Sequence, residues 1–294
     1  MRQVLVALDM GGTNIKSGIF DIESKQLLDT FTVPVNSAGT LDEYRDTLLR
    51  VRSALLTGCA VRAIQVSTPG PFDYAAGVSH MVKKYKAING LDLRKVIREC
   101  LGAAEDTPVG FLSDANAFLL GEYTAGEARG IGDTAVVTLG TGLGFAIIQN
   151  GRLLVNEAMR PYHIIAFLPY EGAQLEDFVS GTGLPAEYFK RTGIRMDAKQ
   201  IALSGTPEAR KVYRDMGTVL GRSIKDILEL HSCRLLIIGG QMAASADLFL
   251  PSVREELPGI EVKRARGLTD AALIGAAHAY DNRDIYQVYK PKGE

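Results

Sequence analysis

Short apolar runs that end in turn residues dominate the first third of the chain. Residues 4–10 are almost entirely apolar and stop at two glycines, a pattern that predicts a buried strand. Runs at residues 17–20 and 27–33 are separated by polar turns and predict two more strands. Later apolar runs at residues 63–67 and 109–112 predict a fourth and a fifth strand. Together these runs indicate a β-sheet near the start of the chain.

Segments with helical periodicity alternate with the strands. Thr40 and Glu43 have the spacing of a capping box and precede the amphipathic segment 44–56, which predicts a helix. Strands that alternate with helices are typical of α/β proteins. The polar segment 281–294 is expected to fray. The other predicted helices are residues 91–101, 114–128, 207–231, 247–256 and 270–280.

A pattern of strand, small-residue turn and strand occurs twice, at residues 5–13 and 136–144. In the second copy, strands at Thr134–Leu139 and at 145–149 flank the turn, and a strand at 234–238 follows later. The repeat predicts a structural duplication with one copy in each of two lobes. We therefore expect a two-lobe α/β protein with a hinge between the lobes. The expected lobes are residues 1–115 with 280–294, which form a small N-terminal lobe, and the larger residues 116–279.

Composition narrows the class of protein. The chain has 294 residues, a comfortable length for two lobes. Its 33 basic and 34 acidic residues nearly balance, which argues against a general binder of nucleic acid or membrane surfaces. Three scattered cysteines indicate reduced thiols in a cytoplasmic protein. No run approaches the ~20 apolar residues of a membrane span.

Glycine turns follow three of the predicted strands, at Gly11-Gly12, at residues 140–144 and at Gly239-Gly240. One such turn is ordinarily just a tight turn, but three favour phosphate binding, since backbone N–H groups without a nearby Cβ can close on an anion. Thr13 and Thr141 add hydroxyl donors. None of the turns is a Walker A loop, and none opens a helix as in a dinucleotide fold. The second turn runs from strand to strand, which suits the actin-like kinases.

Six short motifs lie along the chain: Asp9-Met10-Gly11-Gly12-Thr13, Thr68-Pro69-Gly70-Pro71-Phe72-Asp73, Ser113-Asp114-Ala115-Asn116-Ala117 with Leu120-Gly121-Glu122, Gly126-Glu127-Ala128-Arg129-Gly130, Gly140-Thr141-Gly142-Leu143-Gly144 and Gly239-Gly240-Gln241-Met242-Ala243. These motifs resemble those of the ROK (repressor, open reading frame, kinase) sugar kinases, in the order and spacing of that family. The resemblance implies an α/β fold of the actin-like ATPase (ribonuclease H-like) type, with duplicated mixed β-sheet domains around a central cleft. It also implies an ATP-dependent kinase that uses Mg²⁺ and, by family analogy, a homodimer.

Residue roles follow from the resemblance. Asp114 is the general base that deprotonates the sugar hydroxyl; the plain alternative is a helix N-cap. Asp9 contacts Mg²⁺ directly or through water; the alternative is a turn-forming aspartate. The implied sugar-binding residues are Gly70, Ser113, Asp114, His163 and Glu176. The implied ATP-binding residues are Gly11, Gly12, Thr13, Lys16, Gly140, Thr141, Gly142, Gly144, Gly239, Gly240 and Gln241.

The sugar side departs from the family pattern. Arg160 stands near the usual glutamate of a Gly-Glu-x-Gly-His motif, and Glu157 is an alternative after a gap. His163 keeps the histidine, as a sugar contact or as a satisfied core histidine. The zinc cysteines of the family are absent, so we expect no structural zinc. Ser113 replaces the usual asparagine before the base.

Three lysines in four residues, Lys83, Lys84 and Lys86, are either a solvated face or a contact for an anionic substrate. The leading hypothesis is a kinase for a hexose or an N-acylhexosamine, whose lobes close over the substrates to exclude water. The second is a weakly catalytic sugar-binding or sensing protein. We do not expect a DNA-binding repressor, since the first strand begins at residue 4. An actin-like ATPase or acyl-metabolism enzyme is a third reading, disfavoured by the Ser113–Asp114 segment.

Overall fold

The computed structural model describes residues 1–266, 269–280 and 282–290. The strands are β1 (Arg2–Met10), β2 (Asn14–Asp21), β3 (Leu27–Pro34), β4 (Cys59–Thr68), β5 (Phe72–Asp73), β6 (Val78–Ser79), β7 (Val109–Ser113), β8 (Thr134–Leu139), β9 (Leu143–Gln149), β10 (Arg152–Val155), β11 (Pro169–Tyr170), β12 (Ala173–Gln174), β13 (Leu235–Gly239), β14 (Glu261–Arg264) and β15 (Tyr286–Val288).

Helices occupy most of the remaining described chain. The α-helices are α1 (Leu41–Leu55), α2 (Leu93–Leu101), α3 (Asp114–Ala125), α4 (Gly183–Thr192), α5 (Ala198–Ser204), α6 (Pro207–Leu230), α7 (Leu250–Glu256) and α8 (Ala271–Ala279). The 3₁₀ helices are Lys86–Ile88, Ile165–Phe167, Leu175–Asp177, Gln241–Leu248 and Arg283–Ile285. Among these described helices, none is both long enough and apolar enough to cross a membrane.

The chain divides into two compact units. The first comprises residues 1–125, residues 155–160 and the described residues from 269 onward, and the second comprises residues 126–154 with the described residues from 161 to 266. These boundaries differ from the expected lobes because α3 and α8 both fall in the first unit. The two helices cross so closely that a Cβ on Gly275 would overlap the carbonyl oxygen of Ala117.

The sheet of the first unit has the order β3-β2-β1-β4-β7. Its strands β1, β2 and β3 are antiparallel neighbours, whereas β1, β4 and β7 run parallel. Alternate residues of β1, from Val4 to Met10, belong to one core cluster with Leu48 of α1 and Ile97 of α2. Leu5 on the opposite face is also fully buried, and α8 packs against β1 and β4. The sheet is therefore covered by helices on both faces.

The second unit repeats this plan. Its strands lie in the order β14-β13-β8-β9-β10. As with β1, the first strand β8 is central, with the antiparallel strands β9 and β10 on one side and the parallel strands β13 and β14 on the other. The predicted duplication is confirmed by this shared topology.

Several predicted elements differ from the observed ones. The helix expected at 114–128 ends at Ala125, and the one expected at 247–256 is a 3₁₀ helix followed by α7, which has a proline in its first turn. The expectation that 281–294 frays is wrong for its described part, because Tyr286–Val288 is a strand and Ile285 is buried. Residues 281 and 291–294 lie outside the described part of the chain.

Candidate active site

The parallel strands β1, β4 and β7 bring the predicted chemistry of the first unit to one edge of its sheet. Asp9 pairs in register with Ser67, and Thr68 pairs with Ser113. The carboxyl ends of parallel strands are the usual binding edge of an α/β sheet. Asp9, the loop after Thr68 and Asp114 therefore lie at the same edge of the sheet.

Asp9 is held at this edge by a side chain that the motifs did not reveal. The Ser67 hydroxyl, which is fully buried, donates to Asp9 Oδ1 at 2.7 Å. Burial raises the pKa of Asp9 to about 6; the Ser67 hydrogen bond opposes this, the charge of Asp114 adds to it, and Lys16 opposes it. A carboxylate that is costly to ionise alone gains from a nearby cation, which fits a metal contact.

Asp114 is the first residue of α3, but it is not the residue that caps the helix. Ser113 Oγ accepts the backbone N–H of Asn116 at 3.1 Å, which is the bond of an N-cap residue. Asp114 Oδ1 accepts the adjacent N–H of Ala115 at 2.9 Å, which is not the bond of an N-cap residue. The Ser113 hydroxyl, predicted to contact sugar, is buried and occupied as the cap. The carboxylate of Asp114 is therefore released from the capping role.

The surroundings of Asp114 suit a proton acceptor. Solvent reaches the side chain. The protein packed around its carboxyl group raises its pKa above the ordinary aspartate value, while the Ala115 N–H and the charge of Lys84 act in the opposite direction. A base with a raised pKa holds an abstracted proton more firmly at neutral pH.

In the first glycine turn, the two glycines leave space for different neighbours. A Cβ on Gly11 would lie 2.9 Å from the carbonyl oxygen of Asn14, so only glycine fits this tight turn. A Cβ on Gly12 would instead meet the Lys84 side chain, 3.3 Å from Nζ. The hydroxyl of Tyr85 donates to Gly11 O at 2.6 Å and ties the following loop to the turn.

Lys16, predicted to bind ATP, is already engaged. Its ammonium lies 2.7 Å from Asp270 Oδ1 and donates to Thr269 O at 2.9 Å. An ammonium committed to a carboxylate is a weaker phosphate ligand than a free one. Its predicted role in ATP binding stays a prediction.

Arg160, one of the two candidates for the missing glutamate, braces the loop at Pro71-Phe72. Its Nε donates to Phe72 O at 3.1 Å. Glu157, the other candidate, is exposed. The loop around Gly70 is further fixed by Tyr74, whose hydroxyl donates to Thr68 O at 3.2 Å.

In the second unit, two glycine turns meet at one edge of the sheet because β8 and β13 are parallel neighbours, with Gly239 opposite Thr138. Gly240 has φ +82°, and a Cβ there would overlap the backbone of Leu139, where the other turn begins. Glycine is therefore required at this position. The predicted second and third phosphate turns are neighbours, and Gln241 opens the 3₁₀ helix that follows.

The turn at 140–144 is held by hydrogen bonds to a later segment of the chain. Gly181 N–H donates to Gly140 O at 2.7 Å, and Thr182 Oγ1 donates to Thr141 O at 3.0 Å. Glu176 Oε2 accepts the N–H of Leu143 at 2.7 Å. The carboxylate predicted to bind sugar thus contacts the glycine turn, and its sugar role stays a prediction.

His163 is paired with a second histidine that the motifs did not reveal. The Nε2 atoms of His163 and His231 are 2.7 Å apart, so one ring donates to the other. His231 is fully buried, and its ring and backbone lie 3.5 Å and 3.4 Å from the Gln149 amide. Burial, followed by the proximity of His231, lowers the pKa of His163 to about 4. Both alternatives for His163 therefore have support, since the ring is half-buried and one nitrogen is already bonded.

No group of three or more His, Cys, Asp or Glu side chains able to hold a metal is found among the described residues. Cys100 and Cys233 are buried, Cys59 is half-buried, and all three are free thiols. A structural zinc needs about four ligands. The absence of a structural zinc therefore stays an expectation from the missing cysteine motif.

Two units with the same sheet order, each carrying glycine turns at the carboxyl ends of parallel strands, define the duplicated α/β fold of the actin-like ATPases. Within that class the chain belongs to the ROK family, whose family model matches residues 5–283.

Relatives with assigned activities match the chain over most of its length. A glucokinase of Streptomyces coelicolor is 24% identical, with 92% of this chain and 96% of that protein covered. An N-acetylmannosamine kinase of Escherichia coli O157:H7 is 27% identical over the same shares of the two chains, 92% and 96%. The crystal structure of a ROK family glucokinase from Streptomyces griseus, in complex with glucose and AMPPNP, has a TM-score of 0.76 at 23% identity, covering 94% of this chain and 98% of that one.

Proposed function

We propose that the protein is an ATP-dependent sugar kinase that phosphorylates a hydroxyl of a hexose or an N-acylhexosamine, with Asp114 as the general base. One observation carries the proposal: Ser113 caps α3, which leaves the Asp114 carboxylate free at the binding edge of the sheet. The relatives that are glucokinases and N-acetylmannosamine kinases support the substrate class.

In this mechanism Asp114 accepts the proton of the attacking hydroxyl. Its raised pKa keeps the proton on the carboxyl group while the new oxygen–phosphorus bond forms. Ser67 positions Asp9 at the same edge, next to the first glycine turn. Asp9 fits a Mg²⁺ ion of the kind that is held by one or two carboxylates together with nucleotide phosphates. When bound, that ion would neutralise phosphate charge.

Each unit offers its own candidate phosphate contacts. In the first unit these are the backbone of Gly11-Gly12 and the hydroxyl of Thr13, which lies exposed on the turn. In the second unit they are the turn at 140–144 and the adjacent Gly240. On the sugar side, His163, Glu176 and Gly70 remain the candidates, while Ser113 acts as a helix cap.

The test is ATP turnover across a panel of glucose, mannose, N-acetylglucosamine and N-acetylmannosamine, followed as ADP release and confirmed by ³¹P NMR of the sugar phosphate. We expect at least one neutral sugar to be phosphorylated in a Mg²⁺-dependent reaction. ATP hydrolysis that is the same with and without every sugar would contradict the proposal.

A weakly catalytic sugar-binding protein is the second candidate. Two candidate sugar-binding side chains support it, because each is already hydrogen-bonded within the protein. Arg160 donates to Phe72 O, and Glu176 accepts from the glycine turn. Calorimetry separates the two functions, because a kinase binds both AMPPNP and sugar. Sugar binding without measurable nucleotide binding would favour the sensing protein.

A further inference from the structure

Three exposed lysines lie between β6 and the end of the 3₁₀ helix Lys86–Ile88, and one of them reaches the first glycine turn. The Lys84 side chain lies across Gly12: a Cβ there would be 3.3 Å from Nζ, 3.7 Å from Cε and 3.9 Å from Cδ. The φ angle of Gly12 is not positive, so its backbone conformation does not itself require glycine. The missing side chain of Gly12 therefore makes room for Lys84.

The loop that carries Lys84 is tied to the turn by the next residue. Tyr85 is buried and has φ +51°, a left-handed conformation uncommon for a residue with a side chain. Its N–H donates to Ser37 O at 2.5 Å and its hydroxyl donates to Gly11 O at 2.6 Å. The backbone at Lys84 is thereby held in place beside the turn.

The ammonium of Lys84 differs from that of Lys16 in being uncommitted. Lys16 is paired with Asp270 at 2.7 Å. Within residues 1–266, 269–280 and 282–290, no carboxylate lies within the 4.0 Å ion-pair distance of the Lys84 ammonium. A cation next to a phosphate-type turn and without an anionic neighbour of its own is available to a bound anion.

Lys84 also acts on Asp114. Its positive charge favours the ionised form of the Asp114 carboxyl group and so lowers the pKa that the surrounding protein raises. A phosphoryl group in transfer occupies the space between the nucleotide-binding turn and the hydroxyl that the base activates. The Lys84 side chain lies beside the turn at Gly12, and its charge acts on the carboxyl group of Asp114.

We propose that Lys84 is a further catalytic residue, whose ammonium binds the terminal phosphoryl group of ATP and neutralises its charge during transfer. This proposal rests on the proposed function. In the step, the sugar oxygen forms a bond to the terminal phosphorus and the bond from that phosphorus to the bridging oxygen breaks. ADP leaves with the electron pair, and the hydroxyl proton passes to Asp114. Lys84 keeps all of its protons.

The test compares Lys84→Met with Lys83→Met, which removes the same charge from the adjacent exposed residue, and with Lys84→Arg. For Lys84→Met we expect kcat to fall about 100- to 1000-fold, the range seen when one transition-state donor is removed. Affinity for AMPPNP should fall about 10- to 100-fold, as for a lost charged hydrogen bond, while affinity for ADP should change less than about twofold. Lys83→Met should behave as the wild type, and Lys84→Arg should restore AMPPNP affinity in part.

Three results would overturn the proposal: unchanged kcat in Lys84→Met, equal losses of AMPPNP and ADP affinity, or a raised KM confined to sugars that carry a carboxylate or phosphate. The last would mean that the ammonium recognises an anionic acceptor. If the wild type phosphorylates no sugar, the proposed function fails by itself, and the AMPPNP-against-ADP comparison still decides whether Lys84 binds the terminal phosphoryl group.

Discussion

At the crossing of α3 and α8, packing and helix propensity predict opposite changes in stability when Gly275 is replaced by alanine. Gly275 lies in the interior of α8, where replacing glycine with alanine in an exposed helix would gain ~1 kcal/mol. In the fold, the new Cβ would overlap the carbonyl oxygen of Ala117 and lie 2.7 Å from the N atom of Gly121. To restore a contact of ~3.5 Å, the helices must separate by more than about 1 Å.

Such a separation disturbs a fully packed interface. Leu273 and Ala276 of α8 are buried, and so are Leu119 and Leu120 of α3. Overpacking of this kind costs about 1–3 kcal/mol and at times more. Because backbone carbonyl groups cannot rotate away as a side chain can, we expect the upper end, about 3 kcal/mol in the free energy of unfolding. That corresponds to a fall in Tm of roughly 6–12 °C for a unit of this size.

The assay is thermal unfolding of Gly275→Ala followed by circular dichroism. Ala272→Gly, at a half-buried position of the same helix, is the matched control. It should lower Tm by only roughly 2–4 °C, the effect of helix propensity alone. An increase in Tm for Gly275→Ala would refute the reasoning, because propensity would then outweigh the clash.

Three further predictions concern single residues. Burial lowers the pKa of His163 from 6.5 to about 4, so the folded state is favoured fully above pH 6.5 and loses free energy of unfolding as the pH falls towards 4. Urea unfolding from pH 7 to pH 4 should therefore show a smaller loss of this free energy for His163→Gln than for the wild type. An identical loss would contradict the lowered pKa of His163. The raised pKa of Asp114 predicts that kcat/KM decreases on acidification at a pH above the ordinary aspartate range, and a pH–rate profile with its acidic limb at or below pH 4 would contradict this. Gly240 has φ +82°, and Gly240→Ala adds a Cβ that clashes with the backbone of Leu139. This variant should bind AMPPNP about 10-fold or more weakly, as measured by calorimetry, and binding equal to that of the wild type would contradict a role for this turn.

The features that the sequence predicted well are local ones. Strand runs such as residues 4–10 and Thr134–Leu139 are apolar because both faces of their sheets are covered, and their glycines mark the strand ends. The repeat of these short patterns was enough to predict the duplication. The capping box at Thr40 and Glu43 likewise forms as its spacing indicates, and it opens α1.

Contacts between distant parts of the chain had no such signal. Lys16 pairs with Asp270 and donates to the carbonyl oxygen of Thr269, which is 253 residues away along the chain, and no motif in the sequence indicates this contact. His163 and His231 are 68 residues apart, and only the fold brings their rings together. The boundary of the first unit after α3 had no sequence signal for the same reason, since the packing of α3 on α8 depends on glycines in two separate segments.

Some local features were also missed. Helix α5 begins with a capping box of Asp197 and Gln200, a signal present in the sequence, whereas α4 lacks a side-chain cap and could not be found in this way. The cap of α3 was assigned in the alternative reading to Asp114, but the hydroxyl one residue earlier forms it. A one-residue shift in a cap is invisible to composition, yet it decides which side chain is free for chemistry.

The central claim is that Asp114 removes the proton from a sugar hydroxyl, and the most direct measurement is kcat of Asp114→Asn with the best sugar of the panel. We predict a fall of about 100- to 10,000-fold, with the KM for sugar changed only a few-fold and with Tm not lowered, since the protein packed around this carboxyl group already disfavours its charge. Asp92→Asn, which keeps a good cap at the start of α2, should retain the wild-type rate. A kcat for Asp114→Asn equal to that of Asp92→Asn would contradict the account.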